Sequence, residues 1–567
     1  MRNIRSIVLL LLFLIAAFLS LGGRCFYLQH FKNEHYNAIS LTQQQIRVTL
    51  KPHRGVILDC RGTVLAGSNK FQTIFAEPRE IKDPKEVSEK LQPIIDMGAH
   101  KICELISESG NPGYVKLVSH ADAEMCSEAR KVHYGIGVES VWERHYPTGQ
   151  LLSSVVGFTS IDNRGLAGIE LQFDSKLSGS AGQNVFLGDA RPYRRPIRLH
   201  EPGRQLVDGW GIILTLDATI QQFARVELLK VFKEFEAKSA VAIVAEPKTG
   251  AVLAMVSLPD FNPNALSSSD PNNFRNRAIS DVYEPGSVLK PIVAAIGLDC
   301  GAVRRQEQIF CEEGNYRGKG FGRIGEYGNH KFGNLTVRGI VVNSSNIGMA
   351  KIGQRMGKEK LYKGLSRFGF AKKTGIDLPA EEDGVLREVN NWTGYSVTRI
   401  PFGQEISVTA IQLVRAFCIL ANGGRSIRPF IVRAMVDNNG DIVNAKRNQQ
   451  EPVGFVVEPE VADWIVKEAM VGVVKEGTGK RAATSRWQVF GKTGTANVAR
   501  RDGKGYSESD YIASFAGGAP ADEPAIVVLV SVFSPNIKLG KGYTGGTVAA
   551  PVVGRIIEKT LNYLESR

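Results

Sequence analysis

Between Ile7 and Gly23 the chain carries no charge, with Arg2 and Arg5 before this run and Arg24 closing it. Such a stretch has one stable form away from water, a helix whose backbone groups bond internally. It sits at the short edge of a spanning helix, for which roughly 17 to 25 residues are needed, and also resembles a long signal-peptide core. Either reading sends the rest of the chain across the membrane. Ser20 and Gly22 form only a weak small-x-small cleavage pattern, and Arg24 before Cys25 is a poor lipidation signal. An uncleaved anchor at 7–23 is therefore expected, with a short cytoplasmic tail at 1–6 and orientation set by the arginines. No second run of this length follows, so a single crossing is expected.

The remainder is long enough for a large core. Of 567 residues, 43% are hydrophobic and 22% charged, which excludes disordered and fibrous classes. The formal charge of +13 is spread among 57 acidic residues with no run of five Lys or Arg, so a solvated basic surface is expected and nucleic acid is not a partner. The seven cysteines contain no CxxC pair and no zinc-like spacing with histidine, so no metal site is expected. Their odd number leaves at least one thiol unpaired; Cys300 with Cys311 and Cys103 with Cys126 are open disulfide candidates.

From Arg24 to about Lys238, short strand-like and helical pieces alternate with Gly and Pro turns. Asp217 is placed to cap a helix in which Ile220, Phe223, Leu228 and Val231 recur at helical spacing, and this reads as a connector. Residues 239–259 hold two apolar strand-length runs around a turn containing Gly250, a hairpin pattern. Another such run lies at 525–533, and an amphipathic helix at 551–564 closes the chain. An α+β fold is expected from 239 to 567.

Three short elements carry chemistry. Ser287 and Lys290 stand three apart at the start of an apolar helical run, so both leave one helix face. A serine hydroxyl is a poor nucleophile until a base takes its proton, and a partly buried lysine beside another cation can act as that base. Ser344 and Asn346 lie two apart in a polar patch between apolar stretches. Lys492, Thr493, Gly494 and Thr495 follow a strand-like lead, with glycine permitting close approach to the backbone.

Each element alone has a bland reading: an exposed helical pair, a helix cap, a turn. A second Lys-Thr-Gly at 248–250 shows how common the last one is, and that copy reads as the hairpin turn. In this order the three form the combination associated with serine acyl-enzymes of the penicillin-binding and β-lactamase type, with Ser345 where Asp is usual. From residue 239 onward the only histidine is His330, and no GxSxG elbow surrounds Ser287, so a Ser-His-Asp triad is poorly supplied.

With these residues in place, the chain resembles the class B penicillin-binding proteins over nearly its whole length. The likeness includes HRGVILDCRGTVLA (53–66), RHYPTGQLLSSVVGF (144–158) and GLAGIELQFDSKLSGSAG (165–182). It continues in the segment around YEPGSVLKP, in GQEISVTAIQLVRAFCILANGG and in YTGGTVAAP. Val288, Leu289, Cys60 and Arg61 depart from the usual pattern without removing a reactive group.

The resemblance implies one N-terminal transmembrane helix, an elongated non-catalytic pedestal of dimerisation type at 24–238, and a penicillin-binding transpeptidase domain at 239–567 with a mainly antiparallel sheet flanked by helices. It implies a peptidoglycan D,D-transpeptidase that uses no cofactor, acts on stem peptides ending in D-Ala-D-Ala and is acylated by β-lactams. Ser287 would form the acyl-enzyme, Lys290 would be its base and Ser344 would relay the proton. Asn346 would orient Lys290, Lys492 and Thr493 would hold the donor carboxylate, and Gly494 and Thr495 would continue the substrate-facing strand. Backbone N–H groups of Ser287 and Thr495 would form the oxyanion hole.

Glu284 before the Pro-Gly-Ser points to the FtsI, septal type, since the elongation type usually has an apolar residue or Pro there. No glycosyltransferase motif is present, so a SEDS-family glycosyltransferase and other divisome membrane proteins are implied partners. The implied location is the cytoplasmic membrane with the catalytic domain on the outer, periplasmic side. Elongation-type activity, a β-lactam sensor or hydrolase, and a catalytically silent scaffold are the alternatives.

Overall fold

The computed structural model describes residues 2–187, 197–198, 204–443, 454–500 and 505–566, so parts of the expected pedestal range (188–196 and 199–203) lie outside the described residues. A helix runs Arg2–His30. Its stretch Ile4–His30, 27 residues, is the only helix among the described residues long and apolar enough to cross a membrane. At about 1.5 Å per residue it reaches ~40 Å, more than the ~30 Å hydrocarbon layer requires. It outruns the expected 7–23 segment because Gly22 and Gly23 do not end it. Glycine keeps both backbone groups for the helical ladder and costs only about 1 kcal/mol in a helix interior.

Two compact units make up the chain. The smaller comprises Met1–His53 with Gly179–Asp208. In it strand Gln45–Leu50 runs antiparallel to Gly182–Leu187, with Gln45 opposite Leu187 and Leu50 opposite Gly182.

The larger unit, Arg54–Ser178 with Gly209–Arg567, holds two main sheets. In the first, of seven strands, Ile57–Leu58 pairs in parallel with Gly211–Leu214 and antiparallel with Val64–Ala76. Three helices, Pro84–Leu91, Ala99–Ser107 and Ala123–Val132, bury Leu91, Ile102, Ile106 and Ala129 against Ile74, Ala76 and Ile136 of this sheet.

Three of the sequence motifs meet beside it. Arg54 donates from Nε to Glu170 (2.6 Å) and from Nη1 to Asp174 (2.6 Å), and Arg144 Nε reaches the other Glu170 oxygen at 2.6 Å. With Arg54, Arg144 and Glu170 all but sealed from solvent, this network ties residues far apart in sequence into one knot.

The second sheet positions the site. Its flanking and internal elements are α1 (Ala218–Glu234), β1 (Ser239–Ala245), β2 (Val252–Leu258), α2 (Lys290–Asp299), α3 (Asn346–Arg367), α4 (Ala410–Ala421), β3 (Phe490–Ala499), β4 (Tyr506–Ala519), β5 (Ile526–Phe533) and α5 (Ala550–Glu565). The strand order is β2-β1-β5-β4-β3, antiparallel throughout. Lys248-Thr249-Gly250 forms the turn between β1 and β2, as the first copy of that tripeptide is read.

Successive side chains of a strand point to opposite faces. Ala240, Ala242 and Val244 join Leu228, Val231, Val552 and Ile556 on one side, while Val241 and Ile243 join Ile292, Val293, Leu413 and Phe417 on the other. The sheet is covered on both faces, which is why β1 and β5 read as unbroken apolar runs. Helix α1, capped by Asp217, which accepts from Thr219 N and Ile220 N, is therefore a packed layer over the sheet rather than a connector. Helix α2 is central, with Lys290 through Gly297 buried all round. Pro291 suits its first turn, where an absent N–H leaves nothing unpaired. The cysteines are free thiols, so neither candidate disulfide is formed.

Candidate active site

Strand β3 is the edge of the sheet, and against it sits a single turn, Gly286–Leu289, that presents Ser287 just before α2 begins. Two glycines make this approach possible. A Cβ on Gly494 would lie 2.5 Å from Val288 Cγ2 and 3.1 Å from Pro285 O, so only glycine lets the strand pass the serine turn. Gly403 adopts φ +85, and a Cβ there would lie 2.1 Å from Gly286 O, whose own N–H donates to Gly403 O at 3.1 Å.

Ser344 reaches the same place by a backbone device. It takes φ +58 between helix Val337–Val342 and α3. The next residue, Ser345, caps α3 by accepting from Gly348 N at 2.9 Å. The cap thus falls to Ser345, which leaves the adjacent Ser344 hydroxyl free to face the cleft.

These turns converge on two lysines that are 0% exposed. Lys290 Nζ donates to Ser344 O (2.5 Å), Ser344 Oγ (3.2 Å) and Asn346 Oδ1 (2.7 Å). Lys492 Nζ donates to the same Ser344 Oγ at 2.9 Å and to Thr493 O at 3.0 Å. Thr493 Oγ1 shares a 2.5 Å hydrogen bond with Thr478 Oγ1, and Thr495 Oγ1 accepts from Gly545 N at 3.1 Å. One hydroxyl therefore bridges two buried amines.

Removal from water disfavours an ammonium, and a second cation disfavours it further. Burial holds Lys290 down at about 7, with Glu326 acting in the opposite sense. Lys492 is lowered well below the ordinary lysine range, first by burial and then by Lys290. Two ammonium charges side by side are thus disfavoured here.

A cleft of about 290 Å³ opens over this group, lined by Ser287, Ser344, Asn346, Thr493 and Thr495 among others. Lys290 and Lys492 lie beneath it and Gly494 contributes backbone, so all eight residues singled out in the sequence come together. His330 also lines the cleft and stacks on Phe332 at 5.6 Å. Among the described residues no carboxylate pairs with it, so no Ser-His-Asp relay forms.

Two acids join the site that the sequence reading does not assign to it. Glu326 accepts from Ser345 Oγ (2.5 Å), Asn346 N (2.6 Å) and Ile347 N (3.3 Å), placing a carboxylate at the N-terminus of α3, where the helix dipole favours it. Glu284 lines the cleft and accepts from Glu405 N (2.9 Å) and Tyr506 OH (3.3 Å); burial raises its pKa. In the sequence Glu284 stands out only through the resemblance to the FtsI type. Nothing local in the Gly-rich stretch around Glu326 distinguishes it, since its partners lie about one helix away in sequence.

The chain as a whole is similar to known proteins. A family model described as the penicillin-binding protein transpeptidase domain matches residues 240–558, and one described as the penicillin-binding protein dimerisation domain matches residues 49–204. Stage V sporulation protein D of Bacillus subtilis is 34% identical, over 98% of this chain and 85% of its own length. Peptidoglycan D,D-transpeptidase FtsI of Escherichia coli is 30% identical, over 91% of this chain and 84% of its own. The crystal structure of penicillin-binding protein 3 from Mycobacterium tuberculosis complexed with ampicillin superposes with a TM-score of 0.69 at 25% identity, covering 91% of this chain and 96% of that one. With a serine turn, a two-lysine centre and both domains matched, the chain belongs to the class B penicillin-binding proteins of FtsI type, serine acyltransferases of the peptidoglycan D,D-transpeptidase class.

Proposed function

We propose that this chain cross-links peptidoglycan stem peptides during septal wall synthesis, through an acyl-enzyme on Ser287. The observation that carries the reading is the hydroxyl of Ser344 shared by two fully buried lysines beneath the cleft that holds Ser287. An incoming peptide carboxylate, bound by Lys492 and Thr493, draws the pair's positive charge to Lys492. Lys290 is then the free amine, held by Asn346 and ready to take the Ser287 proton.

The serine oxygen attacks the carbonyl of the penultimate D-alanine, with developing negative charge received by backbone N–H of Ser287 and Thr495. The peptide bond breaks, and the leaving D-alanine amine takes its proton by way of Ser344. An amine of a second stem peptide then attacks the ester, forming the cross-link and restoring Ser287. A β-lactam follows the first half of this path and stops at a stable ester.

Residues 24–238 serve as the pedestal and 239–567 as the catalytic domain. The helix beginning at Arg2 anchors the protein in the cytoplasmic membrane with its arginine-bearing tail inside and the catalytic domain outside, where the wall is built. A SEDS-family glycosyltransferase and other divisome membrane proteins supply the glycan strands and the setting. Glu284 and the likeness to FtsI support the septal role.

Fluorescent penicillin tests the chemistry: covalent label on the wild type and none on Ser287→Ala is expected, and label persisting on Ser287→Ala overturns it. Depletion tests the setting, with filaments expected, whereas rounded cells assign the protein to lateral wall elongation.

A further inference from the structure

Beyond Glu284 lies a second cleft, of about 480 Å³, lined by Arg387, Thr393, Tyr395, Arg399, Glu405 and Tyr506. Glu284 forms the wall between the two: it lines the first cleft, and its hydrogen-bond partners Glu405 and Tyr506 line the second. The floor is prebuilt. Arg387 pairs with Glu405, Ser396 Oγ donates to Glu405 Oε2 at 2.7 Å, and Thr393 N donates to Ser396 Oγ at 3.1 Å.

Arg387 is therefore neutralised. Arg399 makes no such close pair: its guanidinium carbon lies over the Tyr395 ring, 5.1 Å from the centroid, and among the described residues no carboxylate forms an ion pair with it, although its charge acts at longer range on Glu284. Its Nε is buried without any hydrogen-bond partner. A guanidinium held over an aromatic ring, with a donor left unpaired, suits a planar anion such as a carboxylate.

The cleft's place along the substrate strand says which carboxylate. The donor's terminal carboxylate belongs at Lys492 and Thr493, and an extended peptide advances about 3.3 Å per residue. β3 runs from Lys492 past Thr495 to Ala499, which pairs with Tyr506 at the rim of the second cleft. The third residue from the donor's C-terminus thus falls about 7 Å along, beside Glu284, with its side chain in reach of the second cleft. We propose that the cleft bounded by Arg399, Tyr395 and Tyr506 is a specificity subsite for a carboxylate on the side chain of the third residue of the donor stem peptide.

This rests on the transpeptidase reading above. The test uses the full-length chain in detergent and two synthetic donor esters ending in D-Ala-D-lactate, identical except that the third residue's side chain ends in a carboxylate or a carboxamide. The wild type is expected to favour the carboxylate in kcat/KM by tenfold or more. In Arg399→Gln the ratio falls toward one, and in Arg399→Lys it is intermediate. A ratio taken within one protein is independent of how much of that protein is folded.

Equal use of the two esters by the wild type, or a preference that survives in Arg399→Gln, overturns the subsite. If the discriminating carboxylate instead belongs to the acceptor, the ester ratio is one and the same acid-to-amide change in an acceptor peptide slows transfer, which also refutes the donor assignment. Penicillin labelling of the wild type reports separately on the serine chemistry, so the two readings fail independently.

Discussion

Acylation at saturating penicillin has a pH dependence that follows from the two-lysine centre. With the ligand carboxylate on Lys492, the charged groups facing Lys290 are Lys492 and Glu326, with Ser344 and Asn346 neutral between them. Burial already holds Lys290 at about 7. A lysine titrating there is about half free base at pH 7, whereas one at the ordinary ~10.4 has a fraction on the order of 10⁻³ to 10⁻⁴, so burial supplies roughly a thousandfold more base.

The base is the deprotonated form, so the sign is upward. The limiting rate should rise about tenfold per pH unit below pH 6, bend at or somewhat below 7, and level off by about 8. Rapid mixing with a fluorescent penicillin across pH 5 to 9 measures it.

Glu326→Gln sharpens the test. Glu326 favours the Lys290 ammonium, so its neutralisation moves the bend to lower pH even as the plateau drops from poorer positioning of Asn346. Lys290→Arg, which stays protonated, should lose about 10²- to 10⁴-fold with no bend in this range. A wild-type rate flat from pH 5 to 8, or a bend that moves upward in Glu326→Gln, would refute the assignment of Lys290 as base.

Two further outcomes follow from the packing. Arg54→Met leaves Glu170, which is 0% exposed, with half its ion pairs and should cost about 3 to 5 kcal/mol, read as a lowered midpoint in denaturant or thermal unfolding. Gly403→Ala, at φ +85 and against Gly286 O, should push the serine turn off β3 and slow acylation by about 10²-fold with a stability loss of about 1 to 3 kcal/mol; unchanged acylation kinetics would show that the turn does not depend on that contact.

Much of the site was legible because its members are close in sequence to what fixes them. Ser287 and Lys290 share a turn, and Lys492 through Thr495 share a strand whose glycine has an evident steric purpose. The same locality made the first Lys-Thr-Gly readable as a turn and Asp217 as a cap. What stayed hidden is what depends on contacts between distant segments. Helix α1 looked like a connector because an amphipathic pattern states that one face is buried and not against what; Val552 and Ile556, more than 300 residues on, complete that face.

Glu326 and Arg399 are hidden for a related reason. Each acts through charge at a place set by the fold: Glu326 on the amine of Lys290 through the end of α3, Arg399 on a cleft that exists only where the loop before Glu405 meets Tyr506. Ser344 joins the two classes. Its spacing to Asn346 is visible in the sequence, but its φ of +58 is what turns its hydroxyl toward both lysines while Ser345 remains to cap the helix. A serine spent on the cap alone would leave Lys290 and Lys492 without a common hydroxyl, and the relay proposed for Ser344 would lose the one side-chain oxygen that both amines reach.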